Sequence, residues 1–389
     1  MQIKFRPNFT ITPAIARDLV RIEAAKGEAN HMPLTAHVLS SLRESMRLKS
    51  AHYSTMIEGN RLSLAEVEHV IARGKTIPGK KRDVREVNGY DCAMQHVKQW
   101  AARKRCVTQK LIQTLHALVM AGGQSHVQPS PYRDGQNVIR RRPAAMPDFA
   151  QYTQCSDEAK MGANFIRNSS DRAIVYLPPE AHDVPGLMAG LVYWMANTKN
   201  LPQPLVAAIA HYQFATIHPY YDGNGRTARL LATLLLYLGG YDLRSLYALE
   251  EYYGQDLDAY YRALSIGPSH NYYEGRAHAD ITPWIAYFID GMATSFESAV
   301  QQMRREQKRG ISDQSAVLRS LDFRQKKVLE LFEHADTITA SHVGELFGFR
   351  PRTSAHMCST WAAQGFLEIA NASNKGRTYK LAIKFKKLI

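Results

Sequence analysis

One short stretch decides how the fold of this chain is interpreted: His218-Pro-Tyr-Tyr-Asp-Gly-Asn-Gly-Arg-Thr-Ala-Arg229. Gly223 and Gly225 permit a tight turn, and the pattern of a helix over residues 227–238 follows directly. The backbone amides of such a turn and the positive end of the helix both favour a bound anion. The stretch therefore predicts a phosphate site formed by a glycine turn and a helix N-terminus.

Four further side chains of the stretch fit phosphate chemistry. Arg226 and Arg229 are three residues apart on one helix face, where they can bond phosphate oxygens. Asp222 precedes the turn and can hold Mg²⁺ between phosphates. His218, at the end of the preceding helix, can take a proton from a hydroxyl nucleophile. Each residue alone is more often structural or solvated, and it is their combination that favours a phosphate site.

Two common nucleotide motifs are excluded by the same residues. No Gly-Lys-Ser/Thr triplet follows the glycines, so the turn is not a Walker A loop. Ala228 stands where GxGxxG would need its third glycine, which excludes the dinucleotide-binding fingerprint.

The stretch resembles the signature of the Fic family, HxFx(D/E)GNGRxxR, at every fixed position except Tyr220, where the family usually has phenylalanine. The resemblance implies a mainly α fold, a helical bundle with a β-hairpin flap. It also implies transfer of AMP from ATP, with Mg²⁺, to a Tyr, Ser or Thr hydroxyl of a protein or of the chain itself.

The resemblance implies roles for single residues. His218 would be the general base and Asp222 the Mg²⁺ ligand, while Arg226 and Arg229 would engage the β- and γ-phosphates. Tyr260 and Tyr261 are similar to an aromatic pair near the adenine, with simple packing as the alternative. The nucleotide-binding residues implied in this way are Gly223, Asn224, Gly225, Arg226, Thr227, Ala228, Arg229, Tyr260 and Tyr261.

Three segments look like those that lead into and form the flap, which pairs with the target as an added strand. They are Tyr132-Arg133, Val138-Ile139 and the run from Val175 to Pro179. Residues 173–177 read as a short β-like run ahead of two prolines, whereas residues 122–147 read as a long surface loop. The residues expected at the flap are Val175, Tyr176 and Leu177.

Upstream, Ser54-Thr-Met-Ile-Glu58-Gly59 is similar to the inhibitory motif of the family, [S/T]xxxE[G/N]. Ser54 and Glu58 share a helix face, and the resemblance implies that Glu58 pairs with Arg229 and blocks productive ATP binding. The alternatives are an exposed glutamate before a glycine cap, or a glutamate that orients water to remove AMP from a modified protein.

Helical patterns dominate the rest of the chain. A stripe from Leu34 ends at Gly59, and a capping box at Ser63 and Glu66 starts the next helix. Further helices are expected at about 84–100, 108–120, 184–197, 201–217, 247–264 and 284–303. We expect four regions: an N-terminal helical region, 1–105, with the inhibitory helix at about 34–59; a catalytic domain, 106–303; a linker, 304–320; and a winged helix-turn-helix, 321–389.

The C-terminal region matches a winged helix-turn-helix in its order, three helices and then a hairpin. The helix at 351–364 would be the reader, with Arg350 and Arg352 at its start. Fic family members with such a module suggest DNA binding or self-association as a homodimer, and winged helices also bind proteins. The alternative function is therefore a DNA-binding regulator whose Fic site senses nucleotide.

Composition supports these interpretations. The 389 residues carry a net charge of +14, and residues 301–389 hold 16 Lys and Arg against 8 Asp and Glu. This excess of positive charge is compatible with an anionic partner of the C-terminal region. The four cysteines have no CxxC spacing, and neither a signal peptide nor a membrane-spanning run is apparent. We expect a soluble cytoplasmic protein with no membrane partner.

Overall fold

A computed structural model describes residues 5–74, 76–141, 152–155, 174–267, 270–309, 321–333, 335–373 and 376–388. The described chain is mainly helical, as the sequence predicts, and it divides into two compact units. The first unit is Met1–Lys26 with Met46–Glu297, and the second is Gly27–Ser45 with Ser298–Ile389. The domain boundaries expected from the sequence stay predictions.

Eleven α-helices are described up to residue 309. They are α1 (Pro13–His31), α2 (Ala36–Ile57), α3 (Leu64–Arg73), α4 (Lys81–Ala102), α5 (Gln109–Met120), α6 (Val184–Asn197), α7 (Gln203–Ile217), α8 (Asn224–Leu238), α9 (Leu249–Gln255), α10 (Leu257–Leu264) and α11 (Thr282–Arg309). None of the helices in the described part of the chain is both long and apolar enough to cross a membrane. Among the cysteines, Cys92, Cys106 and Cys358 are free thiols.

The capping box expected at the start of α3 is present. The Ser63 hydroxyl accepts a hydrogen bond from the amide of Glu66, and the Glu66 carboxylate accepts one from the amide of Ser63. The two bonds satisfy backbone donors that the first turn of a helix leaves without partners. Gly74 ends the helix with a left-handed φ of 60°.

The centre of the first unit is the pair α7 and α8, whose residues are buried almost all round. A helix that is apolar on every face must be enclosed by others. Besides each other, α8 packs against α4 and α5. The signature stretch is the connection between these two buried helices, so a rigid scaffold holds both of its ends.

A small antiparallel sheet belongs to the same unit. Its strands are β1 (Val138–Arg141), β2 (Tyr152–Cys155) and β3 (Ile174–Tyr176), in the order β2-β1-β3. β3 confirms the short strand expected at 173–177. β1 falls inside the stretch 122–147, which was expected to be one surface loop, and residues 142–147 of that stretch lie outside the described residues.

Two helical expectations differ from the structure. The helix expected over 247–264 is broken at Asp256, whose extended backbone and side chain cap α10 by accepting from the amide of Ala259 at 2.9 Å. Asp prefers such caps to helix interiors. α11 runs to Arg309, six residues into the expected linker, because residues 304–309 are good helix formers with no glycine or proline before Gly310.

The second unit contains the C-terminal elements. They are α12 (Phe323–Val328), a 3₁₀ turn (Leu329–Glu333), β4 (Ile338–Thr339), α13 (Ala340–Phe347), α14 (Pro351–Ala363), β5 (Leu367–Asn371) and β6 (Thr378–Leu381). Its antiparallel sheet has the order β4-β6-β5, and Gly348 turns the chain between α13 and α14 with a φ of 69°. Trp361 and Phe366 lie in the core, as expected. This is the element order of a winged helix-turn-helix.

Candidate active site

His218 ends α7 and faces the signature turn. Its backbone is left-handed, with φ 53°, and its amide donates to the carbonyl of Phe214 at 3.0 Å. The ring Nδ1 lies 3.1 Å from the carbonyl of Ala215, which can only accept, so the neutral ring has its proton on Nδ1 and its lone pair on Nε2. Burial lowers the pKa of His218 to about 4, against the opposing effect of the Ala215 carbonyl. The imidazole is therefore a neutral base at pH 7.

Asp222 and Gly223 form the turn that starts α8. Gly223 has φ 75°, and its amide donates to Asp222 Oδ1 at 2.6 Å. The Asp222 side chain is 57% exposed, so its carboxylate can meet a ligand from solvent. Just beyond it, the first amides of α8 lack partners within the helix and carry the positive end of its dipole. The turn therefore offers both a carboxylate for a cation and amides for an anion.

The Asn224 side chain bonds the backbone of Tyr220 within the same loop. Its Oδ1 accepts from the amide of Tyr220 at 3.0 Å, and its Nδ2 donates to the carbonyl of Tyr220 at 2.7 Å. The side chain is buried and both of its polar atoms bond backbone. Asn224 thus fixes the shape of the loop through the backbone of Tyr220.

Arg226, Thr227 and Ala228 all lie in the buried part of α8. Arg226 is 2% exposed, its Nη2 is 3.4 Å from Asp222 Oδ1, and its Nε finds no hydrogen-bond partner among the described residues. The Thr227 hydroxyl donates to the carbonyl of Gly223 at 2.8 Å. Only Arg226 of the three presents a cation beside the turn, whereas Thr227 and Ala228 shape the helix.

Arg229, one turn further along α8, is enclosed by the helix expected to be inhibitory. Its Nε donates to the Ser54 hydroxyl and its Nη2 to the Ser54 carbonyl, both at 2.8 Å. The same Nη2 lies 2.8 Å from Glu58 Oε1. Arg229 is 2% exposed. Ser54 of α2 supplies neutral oxygens, and Glu58, the residue after α2, supplies the carboxylate that compensates the buried cation.

The carboxylate of Glu58 lies directly on the first turn of α8. A Cβ added to Gly225 would be 2.1 Å from Glu58 Oε1 and 3.2 Å from Arg229 Nη1. Real Cβ atoms do not approach this closely, so only glycine fits at residue 225 while Glu58 is in this position. A carboxylate of the chain thus occupies the surface where the helix end favours an anion.

The two tyrosines are brought to the same cluster. Tyr260 is 2% exposed, and its hydroxyl is 3.4 Å from Arg229 Nη1 and 3.4 Å from His211 Nε2. The Tyr261 hydroxyl donates to the carbonyl of Ile57 at 3.1 Å, at the end of α2. Both residues therefore contact the arginine or the helix that covers it.

The expected flap residues lie on β3 and just beyond it. Tyr176 is buried, and its hydroxyl donates to the carbonyl of Thr216 at 2.7 Å, so this side chain anchors the strand. The amide of Leu177 donates to the carbonyl of His270 at 2.7 Å. Of Val175 the structure describes the backbone, which forms part of β3 at the edge of the described sheet.

Arg133 supports the site in a way that the sequence analysis missed. Its Nε donates to the carbonyl of His218 at 3.0 Å, and its backbone amide donates to the carbonyl of Pro219 at 2.9 Å. Its other nitrogens bond the carbonyls of Gly135 and Pro179. The side chain is 3% exposed, so this guanidinium ties the loop of His218 to the segment after β3. In the sequence, the Tyr132-Arg133 pair indicates only a segment that leads into the flap.

Two more supporting groups were missed. His116 on α5 lies 2.9 Å from the carbonyl of Asp222. The buried carboxyl of Glu250 accepts from the hydroxyls of Tyr90, at 2.7 Å, and Ser50, at 3.0 Å, and burial raises its pKa. The only signal for His116 was its place on the apolar stripe of α5, where a lone histidine is usually a core residue.

The described residues contain no group of three or more His, Cys, Asp and Glu side chains that could hold a metal ion. Asp222 alone fits Mg²⁺ in another way, because this ion is often bound by one or two carboxylates together with phosphate oxygens and water. Its exposed carboxylate, beside an anion-binding helix end, meets that requirement.

Comparison with known proteins agrees with this geometry. The profile of the Fic/DOC family matches residues 106–236. The chain is similar to the "Protein adenylyltransferase Fic" of Drosophila mojavensis, with 30% identity over 212 residues, 52% of this chain and 34% of that protein. The protein of the same name from Drosophila virilis is 27% identical over 232 residues, which make up 58% of this chain and 40% of that protein. The chain thus spans less than half the length of these curated relatives.

Solved structures share the fold. A Fic family protein from Desulfovibrio desulfuricans superposes with a TM-score of 0.57 at 22% identity, over 97% of this chain and 99% of that one. Fic-1 from C. elegans superposes with a TM-score of 0.53 at 20% identity, over 76% of this chain and 73% of that one. With the family match at residues 106–236 and the loop built as described, the chain carries a Fic/DOC family domain.

Proposed function

We propose that the protein is a protein adenylyltransferase, which transfers AMP from ATP to a hydroxyl group of a protein, and that Glu58 holds it inactive. The Fic/DOC match and the names of the relatives support the transfer of AMP. The observation that carries the proposal is the Glu58 carboxylate on the first turn of α8, ion-paired with Arg229. An anion of the chain itself occupies surface that the phosphates of ATP need.

His218 acts as the general base in this proposal. Its neutral Nε2 accepts the proton of a Tyr, Ser or Thr hydroxyl, whose oxygen forms a bond to the α-phosphorus of ATP. The bond from that phosphorus to the oxygen bridging to the β-phosphate breaks, and pyrophosphate leaves. A transfer of this kind depends on alignment and on charge neutralisation more than on covalent help from the protein.

The remaining site residues bind and orient the nucleotide. The amides of the first turn of α8 hold the α-phosphate, and Arg226 and Arg229 engage the β- and γ-phosphates. Asp222 would hold Mg²⁺ together with phosphate oxygens, and the ion would neutralise charge on the leaving pyrophosphate. Arg226 already lies beside the Asp222 carboxylate, so both charges are at the same edge of the turn.

Autoinhibition follows from the contacts of Arg229. While Glu58 and Ser54 engage its guanidinium, Arg229 cannot also hold a phosphate, and the Glu58 charge repels the nucleotide from α8. ATP then binds weakly or with its α-phosphate out of line with the attacking hydroxyl. Removing the carboxylate would uncover the helix end and free one N–H of Arg229 Nη2, while the bonds from Arg229 to Ser54 remain.

Transfer of labelled AMP from ATP in whole lysate tests the proposal. We expect Glu58→Gly to raise labelling about tenfold or more, the effect of losing a charge-assisted bond of about 1.5 kcal/mol. Adding His218→Ala to that variant should lower labelling by about 100-fold or more, because the base is lost. Labelling in the lysate also reports the target protein.

A matched control is Glu68→Gly, which removes an exposed glutamate from α3. It should leave labelling at the level of the unaltered protein. If Glu58→Gly and Glu68→Gly give equal labelling, autoinhibition by Glu58 is wrong. If no variant transfers AMP while ATP binding is measurable by calorimetry, the proposed reaction is wrong.

Hydrolysis is the alternative direction for the same site, with Glu58 orienting a water that removes AMP from a modified protein. Protein labelled by Glu58→Gly can be purified and incubated with the unaltered chain without ATP. Release of AMP by the unaltered chain, and not by Glu58→Gly, would assign this second activity. Retention of the label would restrict the site to transfer.

A second candidate function rests on the exposed start of α14. Arg350, Arg352 and His356 are exposed there, while Ser354, Cys358 and Trp361 face the core. A helix presenting basic residues after a glycine turn suits the DNA major groove. Binding of the full chain to duplex DNA should fall steeply as salt rises, and Arg350→Ala with Arg352→Ala should flatten that slope. Absence of binding at low salt would discard this function.

A further inference from the structure

The carbonyl of Asp222, at the heart of the signature turn, is bonded by a side chain from outside the signature. The Nε2 of His116, on α5, lies 2.9 Å from this oxygen. A carbonyl only accepts hydrogen bonds, so Nε2 carries the proton of the ring. The other nitrogen, Nδ1, is buried and has no hydrogen-bond partner among the described residues. The one polar bond that this ring makes there is thus directed at the turn.

The ring is also fixed in its plane. His116 stacks on Tyr220 with ring centroids 3.6 Å apart and an angle of 10° between the planes, and it is 7% exposed. Tyr220 in turn is held by Asn224 through both of its backbone groups. The direction of the Nε2–H bond is therefore set by packing before any ligand binds.

His116 and Met120 form a floor under Gly223. A Cβ at Gly223 would be 3.2 Å from His116 Nε2 and 2.8 Å from Met120 Sδ. The backbone there is left-handed, with φ 75°, and the Gly223 amide is bonded to the Asp222 carboxylate. The His116 bond therefore acts on the same peptide unit that determines where the carboxylate and the first amides of α8 point.

We propose that His116 is a positioning residue for the nucleotide site, whose Nε2–H holds the Asp222 carbonyl and thereby orients the Asp222 carboxylate and the amides of α8 toward the phosphates. This inference rests on the proposed adenylyltransferase function. It predicts that the N–H group at the Nε2 position, and not merely an aromatic ring, is needed for tight binding of ATP.

The test uses the full chain carrying Glu58→Gly, in which transfer is measurable. His116→Phe keeps a ring for stacking and loses the donor, His116→Gln puts an amide N–H near the place of Nε2, and His116→Asn is too short to reach. We expect His116→Phe and His116→Asn to raise the KM for ATP roughly tenfold, because the buried carbonyl of Asp222 loses its donor. The KM of His116→Gln should stay within about threefold of that of the parent.

A matched control is His96→Phe. His96 is a half-buried helical histidine whose Nδ1 also lies 2.9 Å from a backbone carbonyl and whose ring contacts Trp100 edge-on. It should leave the KM for ATP unchanged. Thermal unfolding of every variant shows whether a loss of binding accompanies a loss of fold.

The outcomes separate the two proposals. The positioning role is wrong if the KM for ATP is the same in the parent and in His116→Phe, His116→Asn and His116→Gln. It is also wrong if all three variants raise the KM equally. In both cases, transfer by the parent still supports the proposed function. If the Phe variant does not fold, the comparison of Gln with Asn decides in the same way. A parent that neither transfers AMP nor binds ATP overturns the function and, with it, this inference.

Discussion

Glu58 Oε1 lies 2.8 Å from Arg229 Nη2, although 171 residues separate the two in the chain. Arg229 is buried, whereas the Glu58 side chain is 28% exposed, so the carboxylate lies on the solvent side of the pair. The pair brings the end of α2 onto the start of α8.

Gly225→Ala tests the position of the Glu58 carboxylate through stability alone. Its Cβ would be 2.1 Å from Glu58 Oε1, the end of a flexible side chain, and would displace this carboxylate from Arg229. We expect a cost of about 1–3 kcal/mol in the unaltered chain, because the charge-assisted bond is lost. In the Glu58→Gly background the clash is absent, and Ala should stabilise α8 by up to about 1 kcal/mol through helix propensity. Urea unfolding of the four proteins measures this, and equal effects in both backgrounds would contradict the contact.

Ser50→Ala tests a second anchor of α2. Ser50 lies one turn before Ser54 and donates to the buried carboxyl of Glu250 at 3.0 Å. Losing this bond should loosen α2 and raise labelling about threefold to tenfold, while adding nothing in the Glu58→Gly background. The exposed Ser41→Ala on the same helix is the control. A fall in labelling in both backgrounds would indicate a merely structural role for Ser50.

Arg133→Lys tests whether Arg133 supports the loop that carries His218. An ammonium cannot reproduce the planar fork that bonds the carbonyls of His218, Gly135 and Pro179. We expect transfer in the Glu58→Gly background to fall about tenfold or more, because a misplaced base loses alignment. Arg17→Lys, at a largely exposed arginine, should have no effect. An unchanged kcat for Arg133→Lys would show that Arg133 is not needed to hold the loop of His218.

The pH dependence of transfer tests the state of His218. Its neutral ring is the active form, so activity is present above its pKa and is lost as the pH falls through about 4. We expect kcat/KM of Glu58→Gly to stay flat from pH 8 to pH 5.5. A base with the ordinary pKa of about 6.5 would lose roughly eightfold over the range from pH 7 to 5.5, and such a drop would contradict the burial of the ring.

The stability of the protein should rise with pH between about pH 3 and pH 6.5. Burial lowers the pKa of His211 to about 3, so between that value and about 6.5 the unfolded chain binds a proton that the folded chain does not. The free energy of unfolding should therefore gain up to about 1.4 kcal/mol per pH unit from this histidine. Urea unfolding at pH 4, 5 and 6 should show a slope smaller by up to that amount in His211→Gln. Equal slopes would exclude the contribution of His211.

Structural features formed by residues close together in the chain could be predicted from the sequence. The capping box at Ser63 and Glu66, the glycine turn, and the placement of His218 at the end of α7 were all predicted, because hydrogen bonds within a turn involve residues three or four apart. The break at Asp256 was missed, since capping and helix interiors compete for the same residue and the pattern of apolar residues continues through it.

The sequence by itself determined the chemistry of the turn: two glycines, a carboxylate, a histidine and two arginines within twelve residues. The resemblance also implied the pairing of Glu58 with Arg229, but only the tertiary structure decided which other side chains hold that turn. His116 reaches Asp222 across 106 residues, Arg133 reaches His218 across 85, and Ser54 reaches Arg229 across 175. Such contacts exist because buried helices bring distant side chains together, and no local preference of the chain encodes which ones will meet.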